Sequence, residues 1–161
     1  MTARPAEPED VLSALVEHAD DAVVVADADG TIRYWNRAAE RMFGHAREQA
    51  VGRPLDLIIP EKLRDRHWAG YARVMATGET DYAGRMLAVP AVRADGGRIS
   101  IEFTVTLIRD ASGRVWGIGA IVRDVTARWE QNRALRRELE ELRSTCSAAS
   151  SKRWTSPRTS G

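Results

Sequence analysis

The stretch AVVVADADGTIRYWN, residues 22–36, places the tightest constraint on the fold of this chain. Two apolar runs flank the pair Asp29 and Gly30. An Asp-Gly pair readily adopts the positive backbone angles of a tight hairpin turn, and the runs on either side can pair across it. The stretch therefore predicts a β-hairpin, so antiparallel sheet is expected to begin the ordered part of the chain.

Three further strand-like runs follow residue 84. In the middle run, apolar residues occupy alternate positions: Ile99, Ile101, Phe103, Val105 and Leu107. Strict alternation is the pattern of a strand that buries one face. The last run, VWGIGAIVRDV, carries Gly117 and Gly119 on one face, which predicts that another segment packs closely against it. The chain is thus expected to return to antiparallel sheet after residue 84.

Short helices are predicted between the two sets of strands. Asn36 can cap the run RAAERMF, and Gly44 can end it. A longer helix ends near Gly78, and within it His67 shares an apolar face with Tyr71. The predicted order of elements, β-β-α-α-α-β-β-β, indicates an α+β fold.

Changes in composition along the chain set the expected boundaries. Residues 1–9 combine proline with charge and are predicted to be disordered, whereas residues 10–126 are predicted to form one domain that opens with a short helix. Residues 127–143 have the pattern of a charged helix. Residues 144–161 are rich in serine with few aliphatic side chains, so they cannot offset the entropy of folding and are predicted to be disordered.

The charge balance and the cysteine content exclude several classes of protein. The formal net charge is +1, from 24 basic and 23 acidic residues, which predicts neither a nucleic acid nor an anionic membrane as a partner. Cys146 is the only cysteine, so an intrachain disulfide framework is excluded. No window approaches the roughly 18 consecutive apolar residues of a membrane span. A cytoplasmic location is the expectation.

Three stretches carry a resemblance to a known family: DAVVVADADGTIRYWNRAAERMFG, VRADGGRISIEFTV and WGIGAIVRDVT. In this order they resemble a PAS sensory domain. The resemblance implies a five-stranded antiparallel sheet with short helices over one face, followed by a C-terminal signalling helix, in a protein that senses and is not an enzyme. It also implies that Asp124 and Thr126 couple the domain to that helix, because they match the Asp-x-Thr of PAS domains. The alternative is a plain helix cap at Thr126.

The helix after residue 126 has the pattern of a short coiled coil. The residues that recur at alternating spacings of three and four are Asn132, Leu135, Leu139 and Leu142. A helix of this length is unstable alone in water, so a second copy or a partner helix is expected to cover its leucines. We expect a homodimer, with a histidine kinase or another PAS-containing signalling protein as partner. The alternative is a solvated helix that frays.

The run RDRHWAGYAR, together with Gly84 and Arg85, is similar to the heme-binding PAS oxygen-sensor kinases. This similarity implies that His67 is the axial ligand to the iron of heme b. It further implies that Arg73 contacts a propionate and that Arg85 donates a hydrogen bond to the bound gas. Phe103 and Val105 are implied to make apolar contacts. A domain of this kind senses O2, CO or NO.

Each heme residue has a simpler alternative. His67 can be a core histidine bonded to a backbone carbonyl. Arg85 can be a surface residue paired with Glu79 or Asp81. On these readings the domain is a cofactor-free module for dimerisation or protein interaction.

Flavin is a further alternative. FAD can bind non-covalently with Trp35 or Trp116 against its ring. Covalent flavin photochemistry is excluded, because Cys146 lies outside the domain. The remaining histidines, His18 and His45, lie in polar surroundings and are expected to be solvated.

Overall fold

The computed structural model describes residues 7–80 and 84–151 of the 161-residue chain. Within them lie the strands β1 (Ala22–Asp27), β2 (Ile32–Trp35), β3 (Leu87–Val92), β4 (Arg98–Arg109) and β5 (Val115–Asp124). The α-helices are α1 (Pro8–His18), α2 (Arg37–Phe43), α3 (Arg47–Ala50), α4 (Arg64–Thr77) and α5 (Thr126–Ser151). Two 3-10 helices, Leu55–Leu57 and Glu61–Leu63, precede α4. The fold is α+β, as predicted.

The five strands form one antiparallel sheet in the order β2-β1-β5-β4-β3. Its first hairpin is the one that the Asp-Gly pair predicted, with Val24 of β1 opposite Trp35 of β2. Gly30 in the turn has a φ angle of 77°, a left-handed conformation that glycine adopts without a steric penalty. Because β5 pairs with both β1 and β4, the last strand in the chain lies at the centre of the sheet.

Helices of the part of the chain before residue 126 cover one face of the sheet, and the core lies between them and the strands. On the sheet side it includes Val24, Ile101 and Val122. Helix α2 contributes Phe43, whose ring centroid lies 5.3 Å from that of Trp35, and both side chains are fully buried. Burial of apolar side chains of this size stabilises a fold by roughly 1.5–3 kcal/mol each. This cluster therefore holds α2 against the sheet.

The buried side chain of Asn36 joins three elements. Its Oδ1 accepts hydrogen bonds from the backbone N–H groups of Ala39 at 3.0 Å and Val23 at 2.9 Å. Its amide donates to the carbonyl oxygens of Val16 at 2.9 Å and Asp21 at 3.1 Å. The predicted cap of α2 is confirmed, and the same side chain also holds α1 and β1. A buried amide with all of these bonds carries no desolvation penalty for an unpaired group.

Gly117 makes the close approach that the glycine pattern predicted. It lies opposite Asp27 in the pairing of β1 with β5. A methyl group at Gly117 would collide with the carbonyl oxygen of Ala26 in β1. At Gly119 the nearest atoms lie at 3.5 Å or more, which is ordinary contact. The close approach of β1 therefore requires glycine at position 117 but not at position 119.

Both terminal helices extend past the boundaries expected from the sequence. Helix α1 begins at Pro8 rather than at residue 10. Helix α5 continues to Ser151, so residues 144–151 are helical and not disordered as predicted. The hydroxyl of Ser144 donates to the carbonyl oxygen of Glu140 at 2.8 Å, a bond by which a helix accommodates small polar residues.

The chain divides into two units where the sheet ends. The first runs to Val125 and contains all of the strands named above, and the second begins at Thr126 with α5. No helix in the described part of the chain has the length and the apolar character needed to cross a membrane. The outermost parts of the predicted disordered ends, residues 1–6 and 152–161, lie outside the described residues.

Candidate functional site

Helix α4 carries three aromatic rings close together. The ring centroid of His67 lies 4.9 Å from that of Trp68, in an edge-on arrangement, and 5.7 Å from that of Tyr71. The centroids of Trp68 and Tyr71 are 5.5 Å apart. Tyr71 is buried, as the shared apolar face predicted, and the other two side chains are half-buried. We call these three residues the aromatic cluster.

Two separate segments anchor the aromatic cluster. The hydroxyl of Tyr71 donates to the carbonyl oxygen of Asp27, at the end of β1, at 2.5 Å. The indole N–H of Trp68 donates to Oδ1 of Asp56 at 2.7 Å. The Trp68 ring lies against Gly30, where a methyl group would collide with it. These contacts hold α4 against the β1–β2 turn.

The carboxylate of Asp27 shapes this turn. Its Oδ1 accepts from the backbone N–H groups of Asp29 at 3.1 Å and Thr31 at 3.0 Å, and its Oδ2 accepts from Arg33 at 2.6 Å. Burial alone would raise the pKa of Asp27, but these bonds outweigh burial and lower the pKa. The turn against which the aromatic cluster packs is therefore held by an ionised side chain at neutral pH.

The imidazole of His67 is only partly satisfied. Its Nδ1 is buried and has no hydrogen-bond partner among the described residues. Burial lowers the pKa of His67, and the carboxylate of Asp56 opposes part of this effect. The ring is therefore neutral near pH 7. A neutral imidazole with an unpaired buried nitrogen can be satisfied by a metal or by a ligand that forms a hydrogen bond with it.

A cleft lies beyond the C-terminal end of α4. Its volume is about 560 Å³, and it is lined by Gly78, Glu79, Thr80, Gly84, Val105, Thr106 and Leu107. In β4, Ile101 is buried, whereas Val105 and Leu107 are half-buried. Phe103, between them in the strand, packs against the core. The apolar face of β4 is thus covered less completely toward the cleft, where a small molecule can reach it.

The structure brings together part of the predicted heme site. Val105 and Gly84 line the same cleft, and Arg85 follows Gly84 in the chain. His67 is not among the residues that line the cleft, because it lies with the aromatic cluster in the first half of α4. Phe103 belongs to the core margin rather than to the cleft.

The two arginines of the predicted site are exposed. Arg73 lies on α4, and Arg85 lies in the segment before β3. Within the described ranges, no ion pair joins Arg85 to Glu79. The other suggested partner of Arg85, Asp81, lies outside the described residues.

Asp124 and Thr126 lie on either side of the joint between the sheet and α5. Asp124 is the last residue of β5, and Thr126 is the first residue of α5. Between them Val125 is buried, and its N–H donates to the carbonyl oxygen of Ser100 at 2.8 Å. The backbone just before α5 is therefore fixed to β4.

Two arginines that the sequence did not single out connect distant elements. Arg123 donates to the two carboxylate oxygens of Asp21 at 2.9 Å and 2.6 Å, and this pair spans 102 residues. Arg109 donates to the carbonyl oxygens of Gly78 at 2.7 Å and Gly113 at 3.0 Å, which joins the end of α4 to the β4–β5 turn. No local pattern marks either arginine. The bond from Trp68 to Asp56 was also missed, and an aromatic residue beside His67 was its only signal.

The prediction that His45 is solvated is wrong. Its Nε2 is buried and lacks a hydrogen-bond partner in the described part of the chain, and burial followed by the charge of Arg53 lowers the pKa of His45. The cause is Trp35, whose indole N–H donates to the carbonyl oxygen of His45 at 3.1 Å and holds the loop against the core. Because Trp35 is fully buried, it cannot stack on a flavin. Trp116 is 43% exposed and stays a candidate for that contact.

Residues 11–125 match the PAS fold family. The match covers most of the chain and contains the sheet, the helices over it and the cleft. The chain belongs to the PAS family. PAS domains are typically non-catalytic sensor modules of signalling proteins.

The relatives of this chain include signalling proteins. The sensor protein FixL of Bradyrhizobium diazoefficiens is 29% identical over 129 residues, which are 80% of this chain and 25% of FixL. The oxygen sensor protein DosP of Escherichia coli is 30% identical over 125 residues, which are 76% of this chain and 15% of DosP. The signal transduction histidine-protein kinase AtoS of Escherichia coli is 29% identical over 125 residues, which are 75% of this chain and 19% of AtoS.

These relatives are much longer than the region that they share with this chain, which spans a quarter or less of each. Among solved structures, the PAS domain of a protein from Colwellia psychrerythraea superposes with a TM-score of 0.66. It is 21% identical in sequence, and the match covers 75% of this chain and 99% of that domain. At this identity the likeness supports the fold alone.

Proposed function

We propose that this chain is the sensing module of a larger signalling protein and that it holds heme b non-covalently through His67. One observation carries the proposal: Nδ1 of His67 is buried and has no hydrogen-bond partner among the described residues. Two relatives support the proposal: DosP is an oxygen sensor, which supports a gas as the signal, and AtoS is a histidine kinase, which supports a role in signalling. The sensed ligand is a diatomic gas, O2, CO or NO.

His67 itself meets the chemical requirements for a heme ligand. An iron ligand must be a neutral imidazole on a fixed element, and His67 has a lowered pKa on a helix that Trp68 and Tyr71 anchor. A heme held by His67 would need space that continues from the cleft of about 560 Å³ toward the aromatic cluster. Helix α4 would hinder such an opening only slightly, because only Tyr71 and Val74 of its 14 residues are buried.

Each predicted residue has its own task in this site. His67 would ligate the iron, and Phe103 and Val105 would exclude water on the side of the sheet. Arg73 would pair with a propionate, since a guanidinium keeps its charge and matches a carboxylate. Arg85 would donate a hydrogen bond toward the bound gas, for which this exposed side chain would have to turn toward the cleft. Heme, when bound, supplies an iron that takes up diatomic gases.

The output passes from the sheet to α5. Strand β4, which carries Phe103 and Val105, is bonded through Ser100 to the backbone N–H of Val125. A shift of β4 therefore moves the backbone between Asp124 and Thr126. We propose that the chain forms a cytoplasmic homodimer through α5. This homodimer passes the signal to a histidine kinase or to another PAS-containing signalling protein.

Titration of the purified full chain with hemin tests the heme assignment. The wild type is expected to bind one equivalent and to show a Soret band. His67→Ala is expected to lose the axial ligand, with a shifted band and roughly tenfold or weaker binding. His18→Ala changes an exposed histidine and should bind like the wild type. A wild type without a heme band, or an unchanged spectrum for His67→Ala, would show that the assignment is wrong. A flavin band in its place would identify the FAD alternative.

The distal role of Arg85 is tested separately in the heme-loaded protein. Arg85→Ala is expected to weaken O2 binding while leaving the iron coordination of the gas-free form unchanged, because only the hydrogen bond to the gas is lost. Arg66→Ala removes another exposed arginine as the control. Equal O2 affinity in all three proteins would remove Arg85 from the site and leave His67 in place.

A cofactor-free interaction module is the second candidate function. Apolar side chains are exposed at positions that the heme proposal does not use: Val11, Leu12, Leu15 and Ile121. Ile121 lies on the face of β5 opposite to that of the buried Val122, so it cannot serve a ligand between α4 and β4. Such side chains suit another PAS domain. A colourless protein that still self-associates would favour this candidate.

A further inference from the structure

Helix α5 displays an apolar stripe that runs further than the sequence predicted. Three leucines on it are 57%, 58% and 62% exposed: Leu135, Leu139 and Leu142. Because the helix continues to Ser151, the alternating spacing of three and four carries the stripe to Cys146, which is also exposed. In heptad notation Asn132, Leu139 and Cys146 occupy position a, while Leu135 and Leu142 occupy position d.

We propose that this stripe pairs with the same stripe of a second copy in a parallel, in-register coiled coil, and that two ion pairs between Glu138 and Arg143 select this arrangement. The inference rests on the proposed homodimer and adds its orientation and its register.

The charged residues beside the stripe determine whether the two helices pair in parallel or antiparallel. Glu138 falls at position g, and Arg143 falls at position e of the next heptad. In a parallel pair, g of one helix faces e of the following heptad on the other helix. Glu138 of each copy therefore meets Arg143 of the other copy. Within one helix, residues five apart point about 140° away from each other, so this pair cannot form inside one copy.

The opposite orientation is disfavoured by the same residues. An antiparallel pair places e positions against e positions, and Arg136 and Arg143 would then repel each other. In the parallel pair Arg136 faces the uncharged Gln131 instead. Asn132 at position a also favours the parallel dimer, because it can bond to its own counterpart across the seam.

Sedimentation of the full chain measures the effect of these charges on the dimer. Glu138→Arg and Arg143→Glu are each expected to raise the dimer dissociation constant roughly tenfold, because each turns two attractive pairs into two repulsive ones. The double variant restores opposite charges and should return to within roughly twofold of the wild type. Glu141→Arg and Arg137→Glu, at positions c and f away from the seam, control for the change in net charge and should leave the constant unchanged.

Oxidation of Cys146 reports the register. Diamide accepts two electrons and two protons from two thiols, so two Cys146 side chains that meet form a disulfide, and the chain migrates at twice its mass without reductant. In the parallel register Cys146 lies opposite its own counterpart. In an antiparallel pair centred on Leu139 the two thiols would be about 20 Å apart along the helix axis. We expect rapid crosslinking that Glu138→Arg slows and Cys146→Ser abolishes.

The two measurements separate the failure of the register from the failure of the homodimer. A dimer that does not crosslink at Cys146, and that the double charge variant does not restore, overturns the register and leaves the homodimer. A chain that sediments as a monomer at every concentration overturns both.

Discussion

At the scale of single residues, Gly30 meets two demands at once. Its φ angle of 77° closes the β1–β2 turn, and its missing side chain leaves room for the ring of Trp68. The first demand is local and can be deduced from the Asp-Gly pair. The second depends on a helix that begins more than thirty residues later in the chain. One position therefore connects the turn to the aromatic cluster that carries His67.

Gly30→Ala is expected to destabilise the chain by about 2–4 kcal/mol. Roughly 1 kcal/mol comes from an L-residue at positive φ, and the rest comes from overpacking against Trp68. Gly52→Ala is the matched control: its φ angle is 86°, but nothing lies within 4 Å of the added methyl group, so only the strain of roughly 1 kcal/mol applies. Urea unfolding of both variants gives the free energies. Equal losses would contradict a tight contact between Gly30 and Trp68.

At the scale of elements, α1 is attached to the domain by polar contacts. None of its residues is buried. The carboxylate of Glu17 accepts hydrogen bonds from Arg47 and from the hydroxyl of Tyr34, and it lies 3.6 Å from Arg37. These partners belong to β2, α2 and α3. The position of α1 therefore depends on one ionised side chain, together with the hydrogen bond from Asn36 to Val16.

The attachment of α1 is expected to weaken in acid. The hydrogen bond from Arg47 is the main reason that the pKa of Glu17 lies below its ordinary value of 4.5. A carboxylate whose pKa is lower in the folded state contributes its stability above the unfolded pKa and loses it as the pH falls through the folded pKa. Stability should therefore decrease as the pH falls below about 4.5.

Comparison with Glu17→Gln isolates this contribution from that of Asp21 and Asp27, whose pKa values are also lowered by their arginine partners and hydrogen bonds. The variant is expected to be less stable than the wild type at pH 7, and the difference should shrink toward pH 3. Urea midpoints across this range measure it. Glu9→Gln alters an exposed carboxylate on the same helix and serves as the control. A difference that stays constant with pH would disprove the role of the Glu17 charge.

At the scale of the whole molecule, the two units differ in what stabilises them. The buried apolar residues, from Ala22 to Val125, all belong to the first unit in the described part of the chain. Helix α5 exposes its leucines and has a coiled-coil pattern of about two heptads, which is marginal alone. The first unit is therefore expected to fold without the second, whereas α5 needs another helix.

Removal of residues 127–161 is expected to leave a folded monomer. Circular dichroism should retain the signal of the sheet and show an almost unchanged unfolding midpoint, because the core is intact. Sedimentation should show the loss of the proposed dimer, because the leucine stripe is gone. A chain that ends at residue 151 keeps α5 and is expected to remain dimeric. A dimer that survives the longer deletion would place the interface on the sheet or on α1.

The sequence by itself determined the features that depend on neighbouring residues. The Asp29–Gly30 turn, the alternation along β4 and the cap at Asn36 follow from backbone geometry within a few positions. The inward face of α4, which carries the buried Tyr71 and the half-buried His67, follows from the helical period. These are local signals, so they could be deduced before any packing was known.

Only the tertiary structure decided the features that join distant segments. It placed β5 between β1 and β4, put Trp68 against Gly30, and located the cleft at the end of α4 rather than beside His67. It also paired Arg123 with Asp21 across 102 residues. Local propensity and periodicity specify which face of an element is apolar, but not which other element covers it. That choice depends on how all of the elements share one core, because each buried surface and each hydrogen bond needs a partner brought near by the rest of the chain.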